Sequence, residues 1–240
     1  MSKTKSTIYL LFILLALFSC SKDNETEIRI RKDIGPFSEV VLNSAFEVVL
    51  IQDSLDYVEI VTVESLKKEI KVTLENKVIS IVNNKRFKWT NPENNTPTLY
   101  IHCSAFERIE ANESCNFTTP APITGKEFGI VLKDKANYAN LQLNCETFFY
   151  WNNFPTGGKL TLSGTTKELK IWNTAIMSVD AKNLVTEYAL VENNSKGICE
   201  VNVSHQLEYS ITGKGDIHLY GSPPEVLQKE QSSTGQLIQF

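Results

Sequence analysis

Through the second half of the chain, short stretches of alternating apolar and polar residues run into a polar corner about every twenty residues. Six stretches show it: residues 109–112, 130–134, 148–152, 169–173, 189–193 and 209–213. The residues just before the corners are Ala111, Leu132, Tyr150, Ile171, Val191 and Ile211, and they recur in steps of 18 to 21. Two positions earlier stand Ile109, Ile130, Phe148, Leu169, Ala189 and Tyr209, again apolar or small in every repeat. Residues i and i+2 of a strand share a face, so this parity marks half-buried strands. A second alternating piece follows each corner, as in Leu141/Leu143, Leu160/Leu162, Val201/Val203 and Ile217/Leu219. A fixed period of this size predicts stacked coils, with neighbouring strands ~4.8 Å apart around a narrow apolar interior. The alternative is a β-sandwich with evenly spaced hairpins. The side-chain parity, kept through every unit, favours the coils.

The expected fold is therefore all-β: a single-stranded, right-handed parallel β-helix or solenoid with coils of about 20 residues, preceded by an N-terminal β region. The region before the coils reads as consecutive strands. Val40/Leu42 and Phe46/Val48/Leu50 alternate around Asn43-Ser44, and residues 70–74 and 78–82 flank the turn Glu75-Asn76-Lys77 as a hairpin. The only helical turn expected covers residues 65–69, with Ser65 as its cap. Residues 85–97 form a polar loop carrying Phe87 and Trp89. The predicted organisation is a signal peptide at 1–19, a tether at 20–27, the N-terminal β region at 28–103 and the coils at 104–240, with 28–240 as one continuous head.

The first nineteen residues have the plan of a targeting segment: Lys3 and Lys5, then an apolar run over residues 8–18 that is too short for a membrane span. Leu17-Phe18-Ser19-Cys20 closes it and resembles the bacterial lipobox, which makes Cys20 the expected lipidated, palmitate-bearing first residue of the mature chain. Several acyl chains anchor stably where one does not, because each buried methylene contributes ~0.8 kcal/mol. The expected location is the cell envelope, as an outer-membrane lipoprotein presented at the surface.

Composition narrows the function classes. The 240-residue chain is 42% hydrophobic and 22% charged, which is globular rather than disordered. Its net charge of −4 becomes −6 once Lys3 and Lys5 leave with the signal peptide, so no electrostatic footprint for nucleic acid exists. Cys103, Cys115, Cys145 and Cys199 show no C-x-x-C spacing, and mostly free thiols are expected.

No catalytic motif is present, and no catalytic, metal-binding or cofactor-binding residue is expected. His102 and His218 lie in strands without a partner at i+4. A lyase would need acids aligned for calcium and a basic residue to take a sugar proton. Residues 109–240 contain no arginine, and their aspartates, Asp134, Asp180 and Asp216, fall on different parts of the coil. Glu192 and Glu200 are a pair to try for glycosidase chemistry, although isolated outward glutamates are usually just solvated.

The candidate binding feature is aromatic. Trp151 and Trp172 occupy the same place in consecutive coils and by parity point opposite to Tyr150 and Ile171, with Phe149 on the same outward face and Phe154 just past the corner. Flat exposed indoles suit the apolar faces of sugar rings. Alternatively, they only cover the coil wall or lie beneath the loop carrying Trp89.

The order of Phe37-Ser38-Glu39-Val40-Val41-Leu42, Phe46-Glu47-Val48-Val49-Leu50, the corner Thr212-Gly213-Lys214-Gly215 and the closing Leu219-Tyr220-Gly221-Ser222-Pro223 resembles the auto-transporter adhesin, head GIN domain family of Bacteroides-type lipoproteins. The resemblance covers roughly residues 28 to 240 and implies a β-solenoid on the cell envelope with an adhesive role. It carries no site residues. Family corners usually read Ser-Gly-x-Gly; only Gly213/Gly215 keeps that form here. Asn152-Asn153, Asn173-Thr174 and Asn193-Asn194 stand at other corners, where asparagine's tolerance of left-handed backbone preserves the turn. The expected partners are the membrane through the lipid anchor, an envelope protein or polysaccharide, and a second copy through an open solenoid edge.

Overall fold

The structure is a computed structural model that describes residues 26–86, 96–134, 136–152 and 155–240. It is all-β, with a solenoid of about six turns and additional N-terminal strands. The expected signal segment, Cys20, Phe87 and Trp89 of the expected polar loop, and Phe154 lie outside the described residues.

The chain opens with β1 (Glu27–Asp33), β2 (Glu39–Leu42), β3 (Phe46–Gln52) and β4 (Tyr57–Val63). A 3₁₀ turn over Glu64–Leu66 follows, then β5 (Ile70–Glu75), β6 (Val78–Asn83) and β7 (Thr98–Cys103). Ser65 does not cap the helical turn: the N-cap is Val63, without a side-chain hydrogen bond, and Leu66 is buried. Burial of Leu66, rather than a capped helix, holds this segment down. The expected hairpin is present as β5–β6, antiparallel, with Asn76 and Lys77 both at positive φ. That is the two-residue turn whose twist matches the strands it joins.

The remaining strands are β8 (Arg108–Ala111), β9 (Cys115–Thr118), β10 (Ile123–Leu132), β11 (Ala136–Trp151), β12 (Gly157–Ser195), β13 (Cys199–Ile211), β14 (Ile217–Tyr220), β15 (Glu225–Gln231) and β16 (Leu237–Gln239). From β8 onward every pairing is parallel, one coil on the next. The stacking extends backwards, but out of chain order. The β2/β3 rung lies between the β6/β7 rung and the β8/β9 rung, all in parallel. Antiparallel β1, β4 and β5 then close that end of the stack. Over this cap His102 Nδ1 lies 2.6 Å from Asp53 Oδ2, and its ring stacks on Tyr57 at 4.0 Å, so this histidine is part of the wall.

The interior is a continuous apolar column that includes Val40, Ile79, Ile109, Ile130, Tyr150 and Ile171 on one leg and Val48, Leu99, Phe117 and Leu141 on the other. Each fully buried aliphatic side chain contributes about 1.5–3 kcal/mol. Cys103, Cys115, Cys145 and Cys199 are buried free thiols within it, and burial pushes the first two up to about 12.

Register corrects the columns read from the sequence. Tyr150 pairs with Ile130, not Leu132, and Tyr209, not Ile211, pairs with Val191. The position continuing Ala111 and Leu132 into the next coils is therefore asparagine: Asn152, Asn173 and Asn193 are all 0% exposed. These residues do not supply left-handed corners. Among the described residues, the positive-φ non-glycines are Asn76, Lys77 and Ala175. The asparagines point inward and satisfy the turns. Asn173 Nδ2 donates to Met177 O at 2.9 Å and to Asn193 Oδ1 at 3.1 Å. Asn193 Nδ2 donates to Gly215 O at 3.0 Å, and Asn152 Oδ1 accepts from Thr174 N at 2.9 Å. A corner buried by stacking hides backbone polar groups from water, and a primary amide supplies both a donor and an acceptor to them.

Candidate functional site

Trp151 and Trp172 are paired directly across β11 and β12. Both point away from the core, opposite the buried Tyr150 and Ile171, and both are half-buried. The neighbouring outward column runs Arg108, Gly129, Phe149 and Lys170. Gly129 has no side chain, and the Phe149 ring occupies the space: a Cβ built on Gly129 would lie 2.1 Å from Phe149 Cζ. With its ring folded down, Phe149 shares a trough of about 480 Å³ with Arg108, Val131, Trp151 and Trp172.

On the other side the same two tryptophans line a second, more polar trough of about 330 Å³, together with Glu192, Asn194, Ser210 and Thr212. The pair thus forms a ridge between an apolar and a polar depression. The structure brings Trp151, Trp172 and Phe149 together. Sequence reasoning missed Arg108, Gly129 and the polar lining. Their signal was the register itself, since Gly129 stands beside Phe149 and Ser210 beside Glu192.

At the apolar end, Glu110 is flanked by Arg108 and by Lys133 Nζ at 2.5 Å. Burial alone would raise the Glu110 carboxyl, but the hydrogen bond and charge of Lys133, with the charge of Arg108, outweigh it and hold the group below the ordinary carboxylate range. A depressed folded pKa means stability that is fully present above the unfolded value and lost as pH falls through the folded one. Thermal midpoints of the wild type should therefore fall as pH drops below the ordinary 4.5 of glutamate, and Glu110→Gln should flatten part of that fall. Identical acid profiles for the two proteins would remove Glu110 as a cause.

The aspartates of the coils are occupied structurally. Asp180 pairs with Lys159 at 2.8 Å, Asp134 accepts from Ser114 Oγ at 2.7 Å, and Asp216 accepts from Gln236 N at 2.8 Å. Glu192 and Glu200 fall on different columns, beside Ser210 and His218. Among the described residues no group of three or more His, Cys, Asp or Glu is placed to hold a metal ion. Among them, too, no helix is long and apolar enough to cross a membrane.

Several solved structures share the fold, among them these three. A "putative adhesin" from Bacteroides fragilis NCTC 9343 superposes with a TM-score of 0.81 at 15% identity, covering 92% of this chain and 98% of that one. A "putative adhesin" from Parabacteroides distasonis ATCC 8503 gives 0.63 at 14% identity, with 90% and 98% covered. A "putative lipid binding protein" from the same strain gives 0.61 at 14% identity, with 90% and 98% covered. No curated protein matches the chain. The family described as "Putative auto-transporter adhesin, head GIN domain" matches residues 36–223, most of the sequence, and the chain belongs to that family.

Proposed function

We propose that this protein is a non-enzymatic, lipid-anchored adhesin of the cell envelope, held at the outer membrane through Cys20, with its solenoid head presenting the Trp151–Trp172 ridge as the contact surface. Family membership and the adhesin descriptions of two solved structures support the adhesive role. The observation that carries the choice of surface is the apolar trough, in which half-buried tryptophans and Phe149 line an outer wall instead of the core. Concave apolar lining on the outside of a fold marks an interaction site. The lipobox-like residues 17–20 support the anchor.

The trough favours a glycan as the ligand, because indole and phenyl faces match the apolar faces of sugar rings. The test is tryptophan fluorescence of the full-length protein in detergent against a broad glycan array, with Gly129→Val as the probe of the site. The added side chain must displace the Phe149 ring, the flexible neighbour it would meet, and so reshape the trough while the coils stay stacked. A glycan that shifts wild-type emission and loses at least about tenfold in affinity to Gly129→Val supports the reading. Silence across the array, or a response to lipid vesicles alone, sinks it. For the anchor, labelled palmitate should enter the wild type and not Cys20→Ser.

A further inference from the structure

We infer that the two troughs act as one groove for a neutral, linear glycan lying along the solenoid axis, with its sugar faces seated on Trp151 and Trp172. This rests on the glycan reading of the same site and deepens it in length, direction and charge.

Length and direction follow from register. The outward column through the groove runs Glu110, Val131, Trp151, Trp172, Glu192, Ser210 and Glu230, one residue per rung. Rungs lie ~4.8 Å apart, so the lining extends for ~29 Å parallel to the axis. A monosaccharide engages a small part of that length. An extended chain engages the tryptophans at mid-groove and the depressions on both sides.

The chemistry follows from which lining groups are uncommitted. The side chains of Glu192, Asn194, Ser210 and Thr212 make no hydrogen bond or ion pair with other described residues, although they line the polar trough. A carboxylate, an amide and two hydroxyls, set beside an indole, are the donors and acceptors that sugar hydroxyls take. The cations near the ridge are engaged: Arg108 and Lys133 by Glu110, and Lys170 by Glu168 at 3.0 Å. Glu192 and Glu230 add negative charge to the polar trough, and among the described residues no cation lines it. Lys196 and Lys214 lie further along the corners and are not part of either lining. A polyanionic chain would meet unbalanced carboxylates at close range, whereas a neutral chain meets hydrogen-bonding groups.

The experiment is a calorimetric and fluorescence titration of the full-length protein in detergent with neutral gluco-, manno- and xylo-oligosaccharides of one to eight residues. The corresponding oligouronates are titrated beside them at low salt. The expected result is affinity that rises by at least about tenfold from one residue to the longer chains and then levels off, with uronates at least about tenfold weaker. Trp151→Ala/Trp172→Ala should abolish the response. Because that variant removes packing as well, Glu192→Lys at an exposed site provides the second arm: it should shift the preference towards uronates with the circular dichroism unchanged. Binding of a single sugar as tight as that of the longer chains, or a wild-type preference for uronates, overturns the inference and leaves the glycan reading standing. Failure of Glu192→Lys to alter the charge preference overturns the placement of the chain in the polar trough. No response to any saccharide overturns both.

Discussion

Gly158→Ala is expected to destabilise the solenoid by about 3–5 kcal/mol, far more than glycine-to-alanine changes at ordinary strand positions. Gly158 sits in β12 directly beside Asn137 of β11 at φ +115. Backbone in that region costs an L-residue on the order of 1–3 kcal/mol by itself. The larger part is contact: a Cβ on Gly158 would lie 1.9 Å from Asn137 O, a backbone atom with no rotamer to adopt. The rungs would have to separate, and Asn137, whose Oδ1 accepts from Cys115 N at 2.9 Å, would move with them. Gly125→Ala is the control, since Gly125 has φ +153 with nothing within 4 Å of its Cβ position. It should cost about 1–3 kcal/mol, the strain without the collision, and so less than Gly158→Ala. Denaturant midpoints of the two variants decide the matter: equal losses would show that rung contact is not what excludes a side chain at 158.

The second large effect is expected at the asparagine ladder. Asn193→Leu keeps the core full, yet it should cost about 2–4 kcal/mol, because leaving each buried polar group unpaired costs about 1–3 kcal/mol. The groups left behind are the Asn173 amide, which donates to Asn193 Oδ1 at 3.1 Å, the Gly215 carbonyl at 3.0 Å and the Ser195 N–H at 3.3 Å. Asn193→Ala should cost at least as much, adding a cavity to the same losses. The measurement is again the shift in denaturation midpoint. A leucine variant as stable as the wild type would mean that apolar packing can replace the ladder, and that the amides are tolerated rather than required.

The two positions, Gly158 and Asn193, show one physical constraint from opposite directions. Coils stacked ~4.8 Å apart leave no space for a side chain aimed along the axis and no water for a corner's polar groups. One position must therefore be empty and the other must carry its own donor and acceptor. The candidate site uses the same logic on the outside. Gly129 leaves an empty place on the wall, Phe149 folds into it, and the tryptophans one column away stand over the trough that results.

Much of this was legible in the sequence because side-chain parity is local. Alternation alone placed Tyr150 and Ile171 inside and Trp151 and Trp172 outside, and the roughly twenty-residue recurrence predicted the solenoid. Register was not legible, for a reason the strand itself supplies. A slip of one residue exchanges inside for outside and would show in the pattern, whereas a slip of two preserves every face. The columns read from the chain slipped by two at Tyr150 and again at Ile211 and still looked apolar throughout. That slip hid the buried asparagines, which by polarity alone resemble surface corners, and it hid the alignment of Arg108, Gly129 and Phe149. Nor does any local pattern report that β2 and β3 insert between β6/β7 and β8/β9, since pairing partners distant in sequence are selected by the whole stack. By itself, then, the sequence determined which apolar strand residues face the core, how long a coil is and where the aromatic pair stands. Only the tertiary structure decided which residues meet across the rungs, because that choice belongs to hydrogen bonds and packing between coils and leaves no trace in the period of two.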